Sequence, residues 1–403
     1  MWKFSQACFV GLGYIGLPTA AVVARNGLRV VGVDTNRRIV DTINRGAIHI
    51  IEPNLEDVVV EVVSSGMLRA VSTPEESDVY LVVVPTPFTG DLKPDISFVE
   101  SATESIVSLL KPGDLYILES TSPVGTTEKM AGLIFKMRPE LKGKIYIAYC
   151  PERVLPGNVL HELVHNDRII GGIDAASTEK ARDFYQGFVL GALHSTNSRT
   201  AEMCKLTENS SRDVQIAFAN ELSMICDRAG IDVWELIALA NKHPRVKILN
   251  PGCGVGGHCI AVDPYFLTAA FPQEAQIIGE ARRINNYKTL WCVEKIRNTI
   301  VQYRLDKGRA PTVALMGLAF KPNIDDLRES PALKIATMMI KDSEIEFLVS
   351  EPNIASHPSF AIAQPQEACE RADIIVFLVG HEKFRGLSIG NDKIQLDFCG
   401  ITR

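Results

Sequence analysis

The segment Gln6-Ala-Cys-Phe-Val-Gly11-Leu-Gly13-Tyr-Ile-Gly16 decides the fold, because a short apolar run leads directly into the pattern Gly-x-Gly-x-x-Gly. Such a run predicts a strand, and the apolar stretch after Gly16 predicts a helix. In this context Gly11 allows a tight turn, Gly13 lets a pyrophosphate approach the backbone, and Gly16 permits close packing of helix on strand. The segment therefore predicts a dinucleotide-binding unit. The alternative is a glycine-rich turn that binds no ligand.

An acidic residue, Asp34, ends the next predicted strand about twenty residues further on. A carboxylate at this place accepts hydrogen bonds from a ribose 2′-hydroxyl and repels a 2′-phosphate, which favours NAD over NADP. Arg37 and Arg38 follow closely, and arginine there is able to accommodate a phosphate. The class of cofactor is therefore better defined than the choice between NAD and NADP.

Short apolar runs alternate with helix-length segments through the first half of the chain, as expected of a parallel sheet covered on both faces. The runs are ACFVGLG, LRVVGVD, VYLVVVPTP, LYILEST, IYIAYC and RIIGGI. A helical stretch without proline or internal glycine then spans residues 198–230, and strand–helix alternation returns after Arg309. We therefore predict an α/β protein with two Rossmann-like parallel-sheet domains joined by a central helical region with one long helix. The predicted domain ranges are 1–197, 198–305 and 306–403.

Composition indicates an ordinary globular protein with a small-molecule partner. The 403 residues are 46% hydrophobic and 22% charged, which supplies enough apolar mass for two or three cores. The net charge is −6, and no segment concentrates Lys and Arg as a nucleic-acid or lipid surface would require. We therefore expect neither nucleic acid nor membrane as a partner.

The nine cysteines are odd in number and contain no Cys-x-x-Cys pair, which indicates reduced thiols and a cytoplasmic location.

No charged residue lies between Lys3 and Arg25, so this stretch imitates a signal peptide or membrane segment. Its glycines and Pro18, followed by a second strand that ends in an acid, argue against that interpretation.

Two further loops follow predicted strands and are expected to border the nicotinamide, because ligands of open α/β sheets bind at the carboxyl ends of strands. One is Pro85-Thr86-Pro87, and the other runs from Glu119 to Thr127 and contains Thr121. The alternative is that both are turns rich in proline and serine for geometric reasons alone.

The segment Asn250-Pro-Gly-Cys-Gly-Val-Gly-Gly-His-Cys259 packs four glycines and two cysteines into a short loop. Glycine lets such a loop press its backbone against a ligand. Cys259 ends the run beside His258 and four residues before Asp263, where a thiol can be exposed and activated. A buried packing role for this cysteine and competition from Cys253 remain open. His258 lacks three further ligands at suitable spacing, so we expect no metal.

Lys205, Asn209 and Arg212 fall at i, i+4 and i+7 of the predicted long helix and share one face. Asn is disfavoured inside helices, and a polar triplet that holds an anion or oxyanion explains it. A solvated helix face is the alternative.

Two basic segments add to the candidate site. His243-Pro-Arg245 precedes the glycine loop, and a loop from Lys321 to Arg328 follows the first strand of the last domain. Ser330 is expected to cap the next helix, with Pro331 at its first position. The positive charges suit phosphates, although ordinary loop charge is an equal alternative.

Seven segments resemble the UDP-glucose/GDP-mannose dehydrogenase family, in order and over nearly the whole chain. They are GLGYIGLP, PTP, ESTSPVGTTE, CPERVLPG, EMCKLTEN, GVGGHCIAVDP and FKPNIDDLRESP. PERVLPG, NKHPRV and GGHCIAVDP are most similar to the branch that acts on UDP-N-acetyl-D-mannosamine. The resemblance implies an NAD-binding first domain, a central helical domain that carries catalytic residues and forms a homodimer, and a C-terminal UDP-sugar-binding domain.

The resemblance also implies roles for individual residues. Cys259 would form a covalent thiohemiacetal and thioester during a four-electron oxidation of the sugar C6 alcohol, and Lys205 would handle proton transfer and oxyanion charge, assisted by Asn209 and Asp263. The implied substrate contacts are Arg153, Val154, Lys205, Asn209, Arg212, His243, Arg245, Gly256 and Lys321. The implied NAD contacts, beside Gly11, Gly13 and Gly16, are Tyr14, Ile15, Asp34, Thr86, Thr121, Thr127 and Arg328.

One departure bears on substrate choice. UDP-glucose enzymes resemble one another in PEFLREG, whereas this chain has Pro151-Glu-Arg-Val-Leu-Pro-Gly157, with proline in place of the second glutamate. This disfavours UDP-glucose. UDP-N-acetylglucosamine and UDP-glucose remain alternative substrates. A 3-hydroxyacid dehydrogenase and a non-catalytic nucleotide-sugar sensor are more remote alternatives.

Overall fold

The computed structural model describes residues 2–88, 90, 93–155, 157–341 and 345–403. The chain divides into two compact units, Met1–Thr207 and Glu208–Arg403. Pro156, which bears on substrate choice, lies outside the described residues.

The first unit is built on an eight-stranded sheet with the strand order β3-β2-β1-β4-β5-β6-β7-β8. Its first six positions follow the order 3-2-1-4-5-6 that is typical of dinucleotide-binding folds. The strands are β1 (Gln6–Val10), β2 (Arg29–Val33), β3 (Leu68–Val71), β4 (Val79–Val82), β5 (Leu115–Leu118), β6 (Tyr146–Tyr149), β7 (Arg168–Gly172) and β8 (Leu193–Asn197).

Helices connect these strands and cover the sheet. They are α1 (Gly16–Arg25), α2 (Arg37–Asn44), α3 (Leu55–Ser64), α4 (Ser97–Val107), α5 (Thr126–Met137), α6 (Val159–His165) and α7 (Ala175–Tyr185), followed by α8 (Ser198–Ala229). Alternate residues of β1 enter two different cores, with Ala7 and Phe9 in one and Cys8 and Val10 in the other. Because successive strand side chains point to opposite faces, both faces of this sheet are covered.

The second unit combines helices with a four-stranded sheet of order β10-β9-β11-β12. After α8 come α9 (Val233–Ala240), α10 (Asp263–Ala270), α11 (Gln276–Lys307), β9 (Val313–Met316), α12 (Pro331–Lys341), β10 (Phe347–Ser350), α13 (Pro365–Arg371), β11 (Ile374–Phe377) and β12 (Ile394–Asp397). Cys292, Ile296 and Ile300 of α11 pack with Val313 and Leu315 of β9 in one core. A central helix and the second sheet therefore share a hydrophobic core.

The predicted fold class is confirmed, with three differences in detail. Strands β3, β8 and β12 were not expected, because they are short and partly exposed and lack a continuous apolar run. Strand β7 pairs antiparallel to β6, which a run of apolar residues cannot indicate because it reports burial rather than direction. A second helix, α11, equals α8 in length at 32 residues. The three predicted domain ranges stay a prediction.

Two glycines of the first turn differ sharply in the space around them, and this predicts different effects on stability. A Cβ on Gly16 would lie 1.9 Å from the carbonyl oxygen of Gly11, whereas a Cβ on Gly13 would meet no atom within 4 Å. We expect Gly16→Ala to lower the free energy of unfolding by about 3 kcal/mol, since backbone must move. Gly13→Ala should change it by less than about 0.5 kcal/mol. Chemical denaturation of both variants measures this, and equal losses would contradict it.

Candidate active site

The glycine turn after β1 has the geometry that a dinucleotide requires. Gly11 adopts φ +103° and donates its N–H to the carbonyl oxygen of Val33 at 2.8 Å. Gly13 leaves open space beside the backbone, and α1 begins at Gly16. Because a helix N-terminus presents unpaired N–H groups and partial positive charge, this turn fits a pyrophosphate. Tyr14 is 46% exposed beside it, and Ile15 precedes the helix.

Asp34 lies directly after β2 and is fixed at the same turn. Its Oδ2 accepts a hydrogen bond from the Leu12 N–H at 3.3 Å, and its Oδ1 accepts one from the Asn36 N–H at 2.8 Å. A carboxylate held at this strand end suits the hydroxyls of a ribose. The residues of the first turn therefore fit NAD, which serves as a hydride acceptor when bound.

The two predicted cofactor loops are joined by Ser120. Its hydroxyl accepts the Val84 N–H at 2.9 Å and lies 2.8 Å from the Val84 carbonyl oxygen, so the loop after β4 and the loop after β5 are held together. Thr86 and Thr121 are half-buried in these loops. This edge of the sheet also carries the glycine turn and Asp34, because the carboxyl ends of parallel strands lie on one side.

Thr127 has a partner that the sequence did not reveal. The buried carboxylate of Glu202 accepts the Thr127 N–H at 2.7 Å, the Thr127 hydroxyl at 2.6 Å and the Gly125 N–H at 2.6 Å. Burial raises the pKa of Glu202, although these hydrogen bonds lower it. A carboxylate thus occupies the N-terminus of α5, and the proposed contact of Thr127 with NAD stays a prediction.

A second buried network lies at the carboxyl ends of β5 and β6. The guanidinium of Arg168 and the carboxylate of Glu152 form an ion pair with Nη1 and Oε2 2.8 Å apart, and their side chains are 3% and 9% exposed. The Tyr185 hydroxyl donates to Oε1 of Glu119 at 2.5 Å. Burial raises the pKa of Glu119 to about 7, with Arg168 opposing the shift and Glu152 adding to it.

Lys205 contacts this network through a backbone atom. Its Nζ donates to the carbonyl oxygen of Glu152 at 2.7 Å, so one of its three donors is held at the end of β6. Arg153 and Val154 follow in the same loop and are half-buried. Arg153 Nη1 donates to the Asp167 carbonyl oxygen at 3.2 Å. Three predicted substrate residues thus lie together in the first unit.

In the second unit the glycine loop presses its backbone against the loop that precedes α12. A Cβ on Gly256 would lie 2.6 Å from the carbonyl oxygen of Glu329 and 2.8 Å from Cβ of Phe320. The Gly257 N–H donates to the Arg328 carbonyl oxygen at 3.0 Å, with φ of Gly257 at +83°. Glycine is therefore required for close approach to protein backbone here, and not only for approach to a ligand.

Cys259 lies at the end of this loop and is half-buried, so its thiol is not sealed in the core. Its carbonyl oxygen accepts the Val262 and Asp263 N–H groups at 3.0 and 2.8 Å, in the turn that starts α10. Asp263 is 3% exposed, and its Oδ2 accepts a short hydrogen bond from Asn209 Nδ2. Three of the four predicted catalytic residues therefore lie in one part of the second unit.

Cys253, the competing cysteine, has the properties of a packing residue. It is 5% exposed, and its Sγ lies 3.4 Å from the carbonyl oxygen of Leu378. Hydrogen bonding with Cys292 and burial raise its pKa well above the usual range. Because the thiolate is the nucleophilic form, Cys253 is a poor candidate.

The basic residues of the second unit that were predicted to bind substrate or cofactor are exposed. Lys321 and Arg328 lie in the loop before α12, where Arg328 forms an ion pair with Asp326 at 2.6 Å. Ser330 caps that helix as predicted, accepting the Leu333 N–H at 3.2 Å. Arg212 lies on α8, and the exposed His243 and Arg245 lie between α9 and the glycine loop.

A buried histidine that the sequence did not single out supports the Lys321 loop. His381 Nδ1 accepts the Asn323 N–H at 3.0 Å, and its Nε2 lies 3.0 Å from Oε2 of Glu351. The same Glu351 oxygen accepts the Leu318 N–H at 2.7 Å. The pair therefore fixes both ends of the segment that carries Lys321.

Within the residues that the structure describes, no group of three or more His, Cys, Asp or Glu could hold a metal ion. No helix in the described ranges is both long and apolar enough to cross a membrane.

Family models match three consecutive parts of the chain. They describe the NAD binding domain (residues 5–189), the central domain (199–287) and the UDP binding domain (314–402) of UDP-glucose/GDP-mannose dehydrogenases. The chain belongs to the UDP-glucose/GDP-mannose dehydrogenase family. It is therefore an NAD-dependent dehydrogenase with a UDP-binding domain, and the predicted enzyme class and cofactor are confirmed.

Individual relatives cover the whole length or nearly all of it. The chain is 53% identical to UDP-N-acetyl-D-mannosamine dehydrogenase of Escherichia coli K12, over 100% of both chains. It is 50% identical to NDP-N-acetyl-D-galactosaminuronic acid dehydrogenase of Ralstonia nicotianae, over 97% of this chain and 94% of the relative. Among solved structures, UDP-D-ManNAc dehydrogenase from Pyrococcus horikoshii has TM-score 0.87 and 38% identity, over 99% of this chain and 96% of that chain.

The raised pKa of Glu119 predicts a pH dependence of stability. Its folded pKa of about 7 exceeds the ordinary 4.5, so between these values the folded enzyme holds a proton that the unfolded chain has lost. Stability contributed by this group is present below about pH 4.5 and falls as pH rises to about 7. Glu119→Gln should remove this loss, which is on the order of 2–3 kcal/mol.

Urea unfolding at several pH values between about 5 and 8 measures the effect. Glu179→Gln, at an exposed position of α7, is the matched control and should follow the unmodified enzyme. Parallel curves for the enzyme and Glu119→Gln would mean that Glu119 is ionised in both states.

Proposed function

We propose that the chain is a UDP-N-acetyl-D-mannosamine 6-dehydrogenase, which oxidises the C6 alcohol of the sugar to a carboxylate in two two-electron steps. The observation that carries this proposal is the 53% identity, over both complete chains, to the E. coli enzyme of that name. The UDP binding domain at residues 314–402 supports a UDP-sugar substrate and disfavours a 3-hydroxyacid substrate. The Ralstonia relative supports a galacto-configured sugar as the second candidate.

Cys259 is the proposed nucleophile for the second oxidation. An aldehyde carbon is trigonal and releases hydride poorly, and addition of the thiolate makes it a tetrahedral thiohemiacetal. Loss of hydride from that carbon leaves a thioester on Cys259, which water cleaves to the carboxylate and the free thiol. Each of the two oxidations releases one hydride, so one sugar would yield two NADH. The half-buried position of Cys259 at the end of the glycine loop supports this role.

Polar neighbours are proposed to manage the charge on oxygen. Lys205 would take the alcohol proton as the neutral amine and, once protonated to the ammonium, stabilise the oxyanions, with Asn209 as a further donor. A well-placed donor of this kind contributes about 3 kcal/mol to transition-state stabilisation. Asp263 accepts a hydrogen bond from the Asn209 amide, which holds the amide in one orientation. We propose Arg153, Val154, Arg212, His243, Arg245, Gly256 and Lys321 as substrate contacts and Tyr14, Ile15, Thr86, Thr121, Thr127 and Arg328 as NAD contacts.

The substrate and the nucleophile are tested together by NADH absorbance at 340 nm with product counting. UDP-N-acetyl-D-mannosamine should give two NADH per sugar and the highest kcat/KM in a panel with UDP-N-acetylglucosamine, UDP-N-acetylgalactosamine and UDP-glucose. Cys259→Ser should lower kcat by at least about 1,000-fold, because an alkoxide at this site forms less readily than a thiolate. Cys399→Ser, at another half-buried cysteine, should keep activity.

Full two-NADH turnover by Cys259→Ser would refute the nucleophile assignment. A higher kcat/KM for another sugar would identify that sugar as the substrate instead. Binding of every sugar by calorimetry, without any NADH formation, would indicate a nucleotide-sugar sensor instead.

A homodimer is proposed on the basis of an apolar face of α8. Phe218 and Ile225 are 55% and 54% exposed and lie seven residues apart, so they share one face of the helix. Large apolar side chains exposed on one face of a helix suit an interaction site. The nine free cysteines support the proposed location in the cytoplasm, where thiols remain reduced.

Light scattering after size-exclusion chromatography tests the dimer. The unmodified chain should elute at twice the monomer mass, and Phe218→Asp with Ile225→Asp should shift it to the monomer, because buried carboxylates are costly. Leu190→Asp, at a 76% exposed leucine of the first unit, should leave the mass unchanged. A monomeric unmodified chain would exclude the dimer.

A further inference from the structure

The ion pair of Arg168 and Glu152 is unusual because both charges lie in the interior. Arg168 is 2% exposed and Glu152 is 8% exposed. Removing two charges from water costs several kcal/mol for each ion, and their attraction offsets this only when the geometry is good. The presence of such a pair is therefore weak evidence that it stabilises the fold. Its role is better sought in its position relative to the reacting groups.

The side chain of Glu152 is held at both carboxylate oxygens. Oε2 pairs with Arg168, and Oε1 accepts the N–H of Arg153 at 2.6 Å. The carboxylate therefore fixes the peptide that follows its own residue. The carbonyl oxygen of that same peptide accepts the Lys205 ammonium at 2.7 Å.

Arg168 itself is fixed from several sides. Its main-chain N–H donates to the Ala192 carbonyl oxygen at 2.9 Å, in the ladder next to β8. Its guanidinium lies over the ring of Tyr185, 5.4 Å from the centroid, and Tyr185 donates to Glu119. The guanidinium is thus held between α7 and the end of β6 by an ion pair and a ring contact.

We propose that Arg168 is a positioning residue for the reaction: through Glu152 it orients the carbonyl oxygen that holds the ammonium of Lys205. This inference rests on the proposed role of Lys205 in proton transfer. Arg168 does not touch substrate in this scheme. Its effect passes through one ion pair and two hydrogen bonds, so it vanishes when Lys205 is removed.

That dependence distinguishes positioning from a general contribution to folding. If Arg168 only stabilises the first unit, its substitution lowers activity by the same factor whether or not Lys205 is present. If Arg168 acts through Lys205, the two losses are not additive, because in the enzyme without Lys205 there is no ammonium that the Arg168 substitution could displace.

The experiment is a double-mutant cycle on the full chain with Arg168→Lys, Lys205→Met and their combination. Lysine keeps the charge next to Glu152 but loses the planar geometry of the guanidinium. We expect Lys205→Met to lower kcat by at least about 100-fold. Arg168→Lys should lower kcat by about 10-fold to 100-fold with Lys205 present and by less than about twofold in the Lys205→Met enzyme. The KM for NAD should stay unchanged in Arg168→Lys.

Two further variants keep the test decisive. Arg182→Lys, at a half-exposed arginine of α7, is the matched control and should keep kcat. If Arg168→Lys does not fold, Arg168→Gln combined with Glu152→Gln removes both charges of the ion pair together and should show the same dependence on Lys205.

The results separate the two claims. Unchanged kcat in Lys205→Met would refute both the proposed role of Lys205 and this inference. A strong loss in Lys205→Met, together with unchanged kcat in Arg168→Lys or with equal losses in both backgrounds, would overturn the positioning role of Arg168 alone.

Discussion

The backbone of the glycine loop lies against α11 and against the loop before α12 at distances that exclude side chains. A Cβ on Gly254 would lie 2.7 Å from the Thr289 hydroxyl, and one on Gly256 would lie 2.6 Å from a carbonyl oxygen. Within the second unit, this contact ties the segment that ends at Cys259 to the segment that carries Lys321. The position of the thiol is therefore set by backbone packing, and a substitution at either glycine would displace it without changing any reacting group.

The net charge of −6 sets a second constraint, because the substrate and the cofactor of this family are anions. The long-range field repels them, so attraction must come from local groups. The N-terminus of α1 is one such group, and the exposed Lys321 is another. At α5 the corresponding N-terminus is neutralised by Glu202 from within the protein. The fold thus leaves some helix N-termini available to phosphates and fills others with its own carboxylates.

The sequence predicted those features that depend on neighbours along the chain. Gly11 needs a positive φ, Ser330 caps the helix that begins one residue later, and the apolar runs become β1, β2, β4 and β5. Local sterics and burial determine each of these, so a short window of sequence contains the information. Strand β8 was not predicted, because it lies at the sheet edge and is half exposed and therefore lacks the apolar pattern. The family resemblance, rather than the spacing, indicated Asp263 beside Asn209.

The buried charges could not be predicted in the same way, because their partners come from distant parts of the chain. Glu119 and Glu152 follow β5 and β6, whereas Arg168 begins β7 and Tyr185 ends α7. Each resembles an ordinary strand-end or helix residue when taken alone. A weak signal was present: Arg168 opens the apolar run RIIGG, and Glu119 closes LYIL. Charges at such places are rare inside a sheet covered on both faces, because burial without a partner costs several kcal/mol. A charge at the end of a buried strand therefore predicts a partner but does not identify it. Here only the fold pairs Arg168 with Glu152, and the main-chain carbonyl oxygen of Glu152 in turn accepts a hydrogen bond from Lys205.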